Sequence, residues 1–167
     1  AELRIRMCIT LLYDFDENLN LIDEVFVGNL QGQPAIFNID SDSFREIIFI
    51  SNISDVDYFS AYEYDGLDFN QDINFAVNNG GIGSGIKCTG IGSSNICVFM
   101  DNAQYVHIVN MSSGADDSFN TSMYTDTNGK IPAIGDLHNN NGLEAVFWHD
   151  KNANGQYGLL AFDLVNE

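Results

Sequence analysis

The most regularly spaced chemical groups of this chain lie in one loop, at Asn38, Asp40, Asp42 and Glu46. They occupy the first, third, fifth and ninth places of the loop, where alternate side chains turn to the same side. The carbonyl of Phe44 would fill the seventh place. Ca²⁺ prefers hard oxygen ligands and accepts roughly six to eight of them. The spacing therefore predicts a calcium loop, and the apolar run that follows it predicts a buried strand.

The pattern returns in two further loops. Near the C-terminus the polar places fall on Asp136, His138, Asn140 and Glu144, with Gly142 at the seventh place. A looser copy near the N-terminus is one residue longer and offers four candidate ligands: Asp14, Asp16, Asn18 and Asp23. Three loop-then-strand units in one short chain indicate an internal repeat.

These loops resemble the FG-GAP (VCBS-type) repeats of integrin-α-like β-propellers, in which an Asp/Asn/Gly-rich loop precedes an apolar strand. The resemblance is clear over residues 36–50 and 133–148, and fair over residues 12–27. It implies bound Ca²⁺ and a bladed fold.

The chain departs from the family pattern at several places. Ser43 and Asn141 replace the usual Gly, and Glu46 and Glu144 replace the closing Asp. His138 is a poor ligand for a hard cation. We therefore expect calcium to bind residues 38–46 more strongly than residues 136–144.

Composition limits the classes of partner. The 167 residues predict a single domain, residues 1–167, and they carry 24 acidic and 6 basic side chains, a net charge of −18. This charge repels phosphate backbones and anionic lipids, so we expect no nucleic acid and no membrane surface as partner. No apolar run approaches the ~20 residues of a membrane span.

Short strands separated by Gly, Asn and Asp turns predict an all-β fold. About three blades of four strands fit the length, whereas closed propellers have roughly four to eight blades. We therefore expect β-propeller-like blades of short antiparallel strands, in an incomplete propeller or a fragment of a longer chain. A β-sandwich with calcium loops is the alternative.

Residues 57–64 predict a half-exposed strand, and residues 112–120 a polar loop. The predicted strands are residues 4–13, 24–28, 34–38, 46–51, 57–64, 74–77, 85–88, 96–100, 104–111, 122–125, 131–135, 144–149 and 157–164.

Cys88 and Cys97 bracket a loop with two glycines, which predicts a disulfide and hence an oxidising, extracellular compartment. Two buried thiols are the alternative. Cys8 is left over, as a buried thiol or as a partner for a segment outside this chain. Three glycosylation sequons are about as many as this composition yields by chance, and their acceptors are Asn52, Asn110 and Asn120.

The residues predict no catalytic site. His107, His138 and His149 lie in no recognisable nucleophile setting. The 24 acidic residues guarantee some close carboxylate pairs of the kind that glycoside hydrolysis uses, so a polysaccharide-degrading enzyme fragment is a further alternative.

We therefore expect an extracellular, calcium-stabilised, propeller-like binding or adhesion module without catalytic activity. Its partners would be a protein or glycan ligand and neighbouring blades or other chains of a larger assembly. One alternative is a structural subunit of a cell-surface or extracellular fibre. The other is a lectin whose aromatic rings stack on sugars, with these candidates: Tyr58, Tyr62, Tyr64, Phe147, Trp148 and Tyr157.

Overall fold

Antiparallel strands build the whole described fold, and no helix occurs among the described residues. The computed structural model describes residues 11–15, 17–40, 42–66, 68–77, 84–91, 93–121, 131–137, 142–150 and 157–164. Consecutive strands pair along the chain into four sheets of two, four, four and three strands, none of which closes into a barrel. The all-β prediction is therefore confirmed.

Each sheet is a meander in chain order. The first sheet consists of β1 (Leu11–Phe15) and β2 (Leu21–Phe26). The second contains β3 (Asn29–Phe37), β4 (Glu46–Ile53), β5 (Val56–Tyr64) and β6 (Phe69–Val77). The third contains β7 (Lys87–Ile91), β8 (Ser94–Met100), β9 (Tyr105–Asn110) and β10 (Ala115–Asn120). The fourth contains β11 (Ala133–Gly135), β12 (Glu144–Asp150) and β13 (Tyr157–Asp163).

The sheets stack face to face in the same order, because their central strands are apolar on both faces. On β4, Ile48 and Ile50 pack towards the third sheet, whereas Ile47 and Phe49 pack towards the first. On β8, Phe99 packs towards the second sheet and its neighbours Val98 and Met100 towards the fourth. A continuous apolar run is the expected sequence of such a strand.

The first strands of the three larger sheets approach one another, β3 beside β7 and β7 beside β11. The N–H of Ile86, just before β7, donates to the carbonyl of Gln33 on β3 at 3.3 Å. The second and third sheets are thus joined at their first strands as well as through their apolar faces.

The two end sheets leave apolar side chains in solvent on their outer faces. Phe26 of the first sheet is 58% exposed, and Leu159 of the fourth is 67% exposed. Leu159 pairs across the sheet with Trp148, which is 40% exposed. These outer faces carry the side-chain types that fill the interfaces between the inner sheets.

Two sequence-based expectations for strands were wrong. β5 is not half-exposed, because the first and third sheets cover its two faces, and Phe59, Ala61 and Tyr62 are all buried. Residues 115–120 are not loop but form the edge strand β10, which pairs with β9. An edge strand needs few apolar side chains, so its polar composition hid it. The predicted strand at residues 122–125 lies outside the described residues, as do residues 4–10 of the first predicted strand and Cys8.

A disulfide joins Cys88 to Cys97, as predicted. The two cysteines face each other directly across the β7–β8 hairpin, with their Cα atoms 4.0 Å apart. Both are buried in the core between the second and third sheets. The cross-link is therefore part of the packing that holds these two sheets together.

Gly28 connects the first sheet to the second and lies close against the end of β4. Its φ is +77°, and a Cβ there would lie 2.5 Å from Ile53 Cγ1 and 2.7 Å from the carbonyl oxygen of Asn52. Gly114 has a similar φ of +69°, but a Cβ there meets nothing within 4 Å. Both Gly→Ala changes strain the backbone, and only Gly28→Ala also overpacks. We expect Gly28→Ala to lower the free energy of unfolding by roughly 1–3 kcal/mol more than Gly114→Ala, measured by urea denaturation. Equal losses would show that the contact with β4 is not tight.

Candidate metal centre

The loop between β3 and β4 is folded by its own polar side chains. Asn38 Nδ2 donates to the carbonyls of Asp42 (2.7 Å) and Phe44 (2.9 Å), which closes the loop. The N–H groups of Asp42 and Phe44 donate to Asp40 Oδ1 and Asp42 Oδ1, at 3.1 and 2.6 Å. These are the turn bonds that Asp and Asn favour. Asn38 and the Phe44 carbonyl, both predicted ligands, thus also serve the hydrogen bonding of the loop itself.

Glu46, the first residue of β4, is fully buried. Its Oε2 accepts the N–H of Ile39 at 2.5 Å. Its Oε1 is also buried and has no hydrogen-bond partner among the described residues. One oxygen of this carboxylate thus fixes the loop, and the other is buried without a hydrogen bond from the described residues.

Four carboxylates converge at this point: Asp40, Asp42, Glu46 and Glu63. Each offers one oxygen, and these four oxygens lie within 4.8 Å of one another. Ligands about 2.3–2.6 Å from a common Ca²⁺ lie within about 5 Å of one another, so the group is compact enough to hold a metal ion. Asp40 and Asp42 are exposed, Glu63 is half-buried and Glu46 is buried, so the cluster opens to solvent on the loop side.

Glu63 was not among the predicted ligands, although the hairpin register could have revealed it. β4 and β5 meet at a tight turn in which Ile53 pairs with Val56, and this register places Glu63 directly opposite Glu46. Cross-strand partners have adjacent side chains on the same face. A prediction of the turn at residues 54–55 would therefore have identified the pair.

A fifth acidic group, Asp72, lies at the irregularity of β6. The pairing of β5 with β6 skips one residue between the pairs Ala61–Ile73 and Tyr62–Gln71, and the skipped residue is Asp72. Such a bulge changes the direction of a side chain, and no pattern in the sequence predicted the bulge at Asp72. Desolvation raises the pKa of Asp72, and so do the charges of Asp40 and Asp42.

Crowded carboxylates resist ionisation. Loss of hydration, the charge of Asp42 and a hydrogen bond with Asp42 raise the pKa of Glu63 to about 7, with Asp72 and Glu46 adding to the shift. Burial also raises the pKa of Glu46, with further increases from Asp40 and Asp72, although the N–H of Ile39 counteracts part of this. A proton shared between carboxylates, or a cation among them, relieves the repulsion.

The loop between β11 and β12 repeats one feature of this arrangement. Glu144 is buried at the first position of β12, and its Oε2 accepts the N–H of Leu137 at 2.8 Å, seven residues earlier. Glu46 and Ile39 are separated by the same seven residues. Asp136 is exposed and Gly142 is buried. The predicted ligands His138 and Asn140 lie outside the described residues.

Two predicted ligands around the β1–β2 loop, Asp14 and Asp23, are cross-strand partners and contact the region of the β5–β6 turn. Asp23 Oδ2 accepts the N–H of Phe69 at 2.9 Å. Buried Asp14 shares a hydrogen bond with the hydroxyl of Tyr64, which raises the pKa of Tyr64 to about 12. Asn18 is exposed, and Asp16 is not among the described residues. Within the described part of the chain, only the group around Glu46 brings three or more such ligands together.

The remaining predicted residues are dispersed. Of the predicted glycosylation acceptors, Asn120 is exposed and Asn52 and Asn110 are half-buried. Tyr62 and Phe147 are buried in separate sheet interfaces, so the aromatic candidates do not form one exposed sugar-binding face.

His107 is buried on β9 between two carboxylates. Its Nδ1 lies 2.9 Å from Asp116 Oδ2, and its Nε2 lies 3.3 Å from Asp101 Oδ2. Its ring stacks on Phe99 with 4.4 Å between centroids. Burial alone would lower the pKa of His107, but hydrogen bonds to Asp101 and Asp116 reverse this and raise it.

No protein-family model matches this chain, and no curated protein is significantly similar to it. Among the described residues, no helix has the length and apolarity to cross a membrane.

The raised pKa of Glu63 can be tested by measuring the melting temperature as a function of pH. A carboxyl group whose pKa is higher in the folded than in the unfolded protein stabilises the fold below about 4.5, and this stabilisation is lost as the pH rises through about 7. With chelator present, we expect the melting temperature to fall between pH 5 and pH 8, and to fall less in Glu63→Gln. Part of the decrease should persist, because the pKa values of Glu46, Asp72 and His107 are also raised.

The matched control for this pH series is Glu24→Gln, at an exposed site on β2. It should leave the pH profile of the melting temperature unchanged. An identical decrease in wild type and Glu63→Gln would show that the carboxylates around Glu46 do not share a proton.

Proposed function

We propose that this chain is a calcium-stabilised, propeller-like binding module without catalysis of its own. The observation that carries the proposal is the buried carboxylate of Glu46, whose Oε1 has no hydrogen-bond partner among the described residues and which groups with the carboxylates of Asp40, Asp42 and Glu63. A buried ionised carboxylate needs a compensating charge, and a divalent cation can supply it to all four groups at once.

The donor set favours Ca²⁺ over other common cations. All four side chains offer oxygen, and no thiolate or imidazole belongs to the group. Oxygen-only sites suit Ca²⁺, Mg²⁺ or Mn²⁺, and irregular sites rich in carboxylates favour Ca²⁺ because Mg²⁺ demands near-ideal octahedral geometry and keeps its water.

The role of the cation would be structural. Asp40 and Asp42 come from the loop, Glu46 from β4 and Glu63 from β5, so one ion would tie the loop to two strands of the second sheet. It would also remove the repulsion between Asp42 and Glu63. The neighbouring sheet surfaces would then be held rigid for a protein or glycan ligand.

The propeller-like arrangement is part of the proposal. Its support is the succession of meanders that pack face to face in chain order, with the first strands of the three larger sheets side by side. The disulfide is compatible with an oxidising compartment, so we place the protein outside the cell.

A second candidate function, a subunit of an extracellular assembly, is favoured by the exposed apolar side chains on the two end sheets. Leu159 on one outer face and Phe26 on the other are large apolar side chains exposed to solvent, of the kind that marks interaction sites. If the end faces bind other copies, Leu159→Glu should reduce concentration-dependent association in sedimentation velocity. A wild-type chain that is monomeric at all concentrations would exclude self-association through these faces.

Calcium should raise the stability of the chain. Binding to the folded state alone adds about 2.7 kcal/mol to the free energy of unfolding when free calcium is 100 times its Kd. We expect calcium to raise the melting temperature of wild type, and Glu46→Gln or Glu63→Gln to abolish most of that increase. Differential scanning calorimetry with calcium, with magnesium and with chelator would measure it.

Glu144→Gln is the matched control, because Glu144 holds the equivalent position and the equivalent backbone hydrogen bond in the fourth sheet. It should lower the melting temperature with and without calcium, but leave most of the calcium-dependent increase. A wild type whose melting temperature ignores calcium would refute the metal site.

A further inference from the structure

The loop that carries the metal candidates is held from outside its own sheet. Asn95, near the start of β8 in the third sheet, donates from Nδ2 to the carbonyl of Ile39 at 2.8 Å and to that of Asn38 at 3.4 Å. Ile39 is the residue whose N–H binds Glu46. Its peptide groups are therefore fixed on one side by Glu46 and on the other by Asn95.

Asn95 is itself held rigidly. Its backbone pairs with Gly90 in the β7–β8 hairpin, and its carbonyl accepts the N–H of Met111 at 2.8 Å. A Cβ at residue 90 would lie 3.3 Å from Asn95 Oδ1, so the glycine leaves room for this side chain. The disulfide between Cys88 and Cys97 closes the same hairpin, and Cys97 lies two residues from Asn95 on the same face of β8.

We propose that Asn95 is a positioning residue of the cation site, through which the disulfide-closed hairpin of the third sheet sets the calcium affinity of a loop in the second sheet. This inference rests on the calcium site proposed above. With Asn95 in place, the carbonyls of residues 38 and 39 are fixed, and with them the N–H that orients Glu46. Without it, part of the binding free energy is used to order the loop.

The coupling is reciprocal. If the hairpin strengthens calcium binding, then calcium strengthens the hairpin by the same factor. Asn95 can carry this coupling between the hairpin and the calcium site because its side chain donates hydrogen bonds from the hairpin to the loop at residues 38–46. We therefore predict that removal of Asn95 lowers the affinity for calcium. We also predict that, without Asn95, the affinity for calcium no longer depends on the disulfide.

The test is isothermal titration of the full chain with calcium chloride, for wild type, Asn95→Leu and Asn95→Gln. Leu has a similar size but cannot donate, whereas Gln retains the amide. We expect Asn95→Leu to raise the Kd roughly 5–20-fold at unchanged stoichiometry. We expect Asn95→Gln to recover part of the affinity. Asn29→Leu, at the far end of β3, is the matched control and should leave the Kd unchanged.

In the second part of the experiment, the double substitution Cys88→Ala/Cys97→Ala is introduced into wild type and into each Asn95 variant. Loss of the disulfide should weaken calcium binding severalfold in a background that retains Asn95, and change it little in the Asn95→Leu background. Equal weakening in both backgrounds would show that the disulfide acts by another route. A Kd that Asn95→Leu leaves unchanged would overturn the positioning role.

The outcomes separate this inference from the proposal on which it rests. A wild type that binds no calcium overturns both, whereas a wild type that binds calcium regardless of residue 95 overturns this inference alone. If Asn95→Leu fails to unfold cooperatively, Asn95→Ser takes its place, with the same expected direction.

Discussion

A carboxylate buried at the first position of a core strand is the constraint on which the second sheet depends. Glu46 lies on the face of β4 that also presents Ile48 and Ile50 to the third sheet, so it cannot turn to solvent. The backbone of Ile39 satisfies one of its oxygens, and nothing described satisfies the other. Three further carboxylates intensify the problem, because negative charges nearby oppose the ionisation of Glu46. In the proposed function, a hard divalent cation would turn this repulsion into ligation, so the loop, Glu46 and Glu63 would act as one unit.

The stacking of the sheets fixes the geometry of the loop at residues 38–46 and makes that geometry depend on the third sheet. β4 and β8 are buried on both faces, so neither can shift without opening two interfaces. The hairpin whose Asn95 holds the loop at residues 38–46 is fixed by the disulfide on one side and by the hydrogen bond from Met111 on the other. A loop at the surface thereby receives its geometry from a neighbouring sheet. Its stability should follow the integrity of that sheet.

The sequence carried the signals that depend on local pattern. Alternating oxygens marked the loop at residues 38–46, apolar runs marked β4 and β8, and the hairpin glycines marked the disulfide between Cys88 and Cys97. It did not reveal what depends on pairing between segments. Glu63 enters the cluster through strand register, Asp72 through a bulge, and Asn95 through contact between sheets. β10 was missed because an edge strand has little need of apolar residues. The exposure of β5 was misjudged because the first sheet covers its second face, and a pattern within residues 57–64 does not reveal that contact.

The most direct test of this account is a crystal structure of the chain grown with calcium, with the anomalous signal used to locate the ion. We expect one anomalous peak at the centre of the group, about 2.3–2.6 Å from an oxygen each of Asp40, Asp42, Glu46 and Glu63. Glu46 should bind through Oε1 while its Oε2 keeps the N–H of Ile39. A map at saturating calcium with no peak there, and with Asp42 still hydrogen-bonded to Glu63, would contradict it.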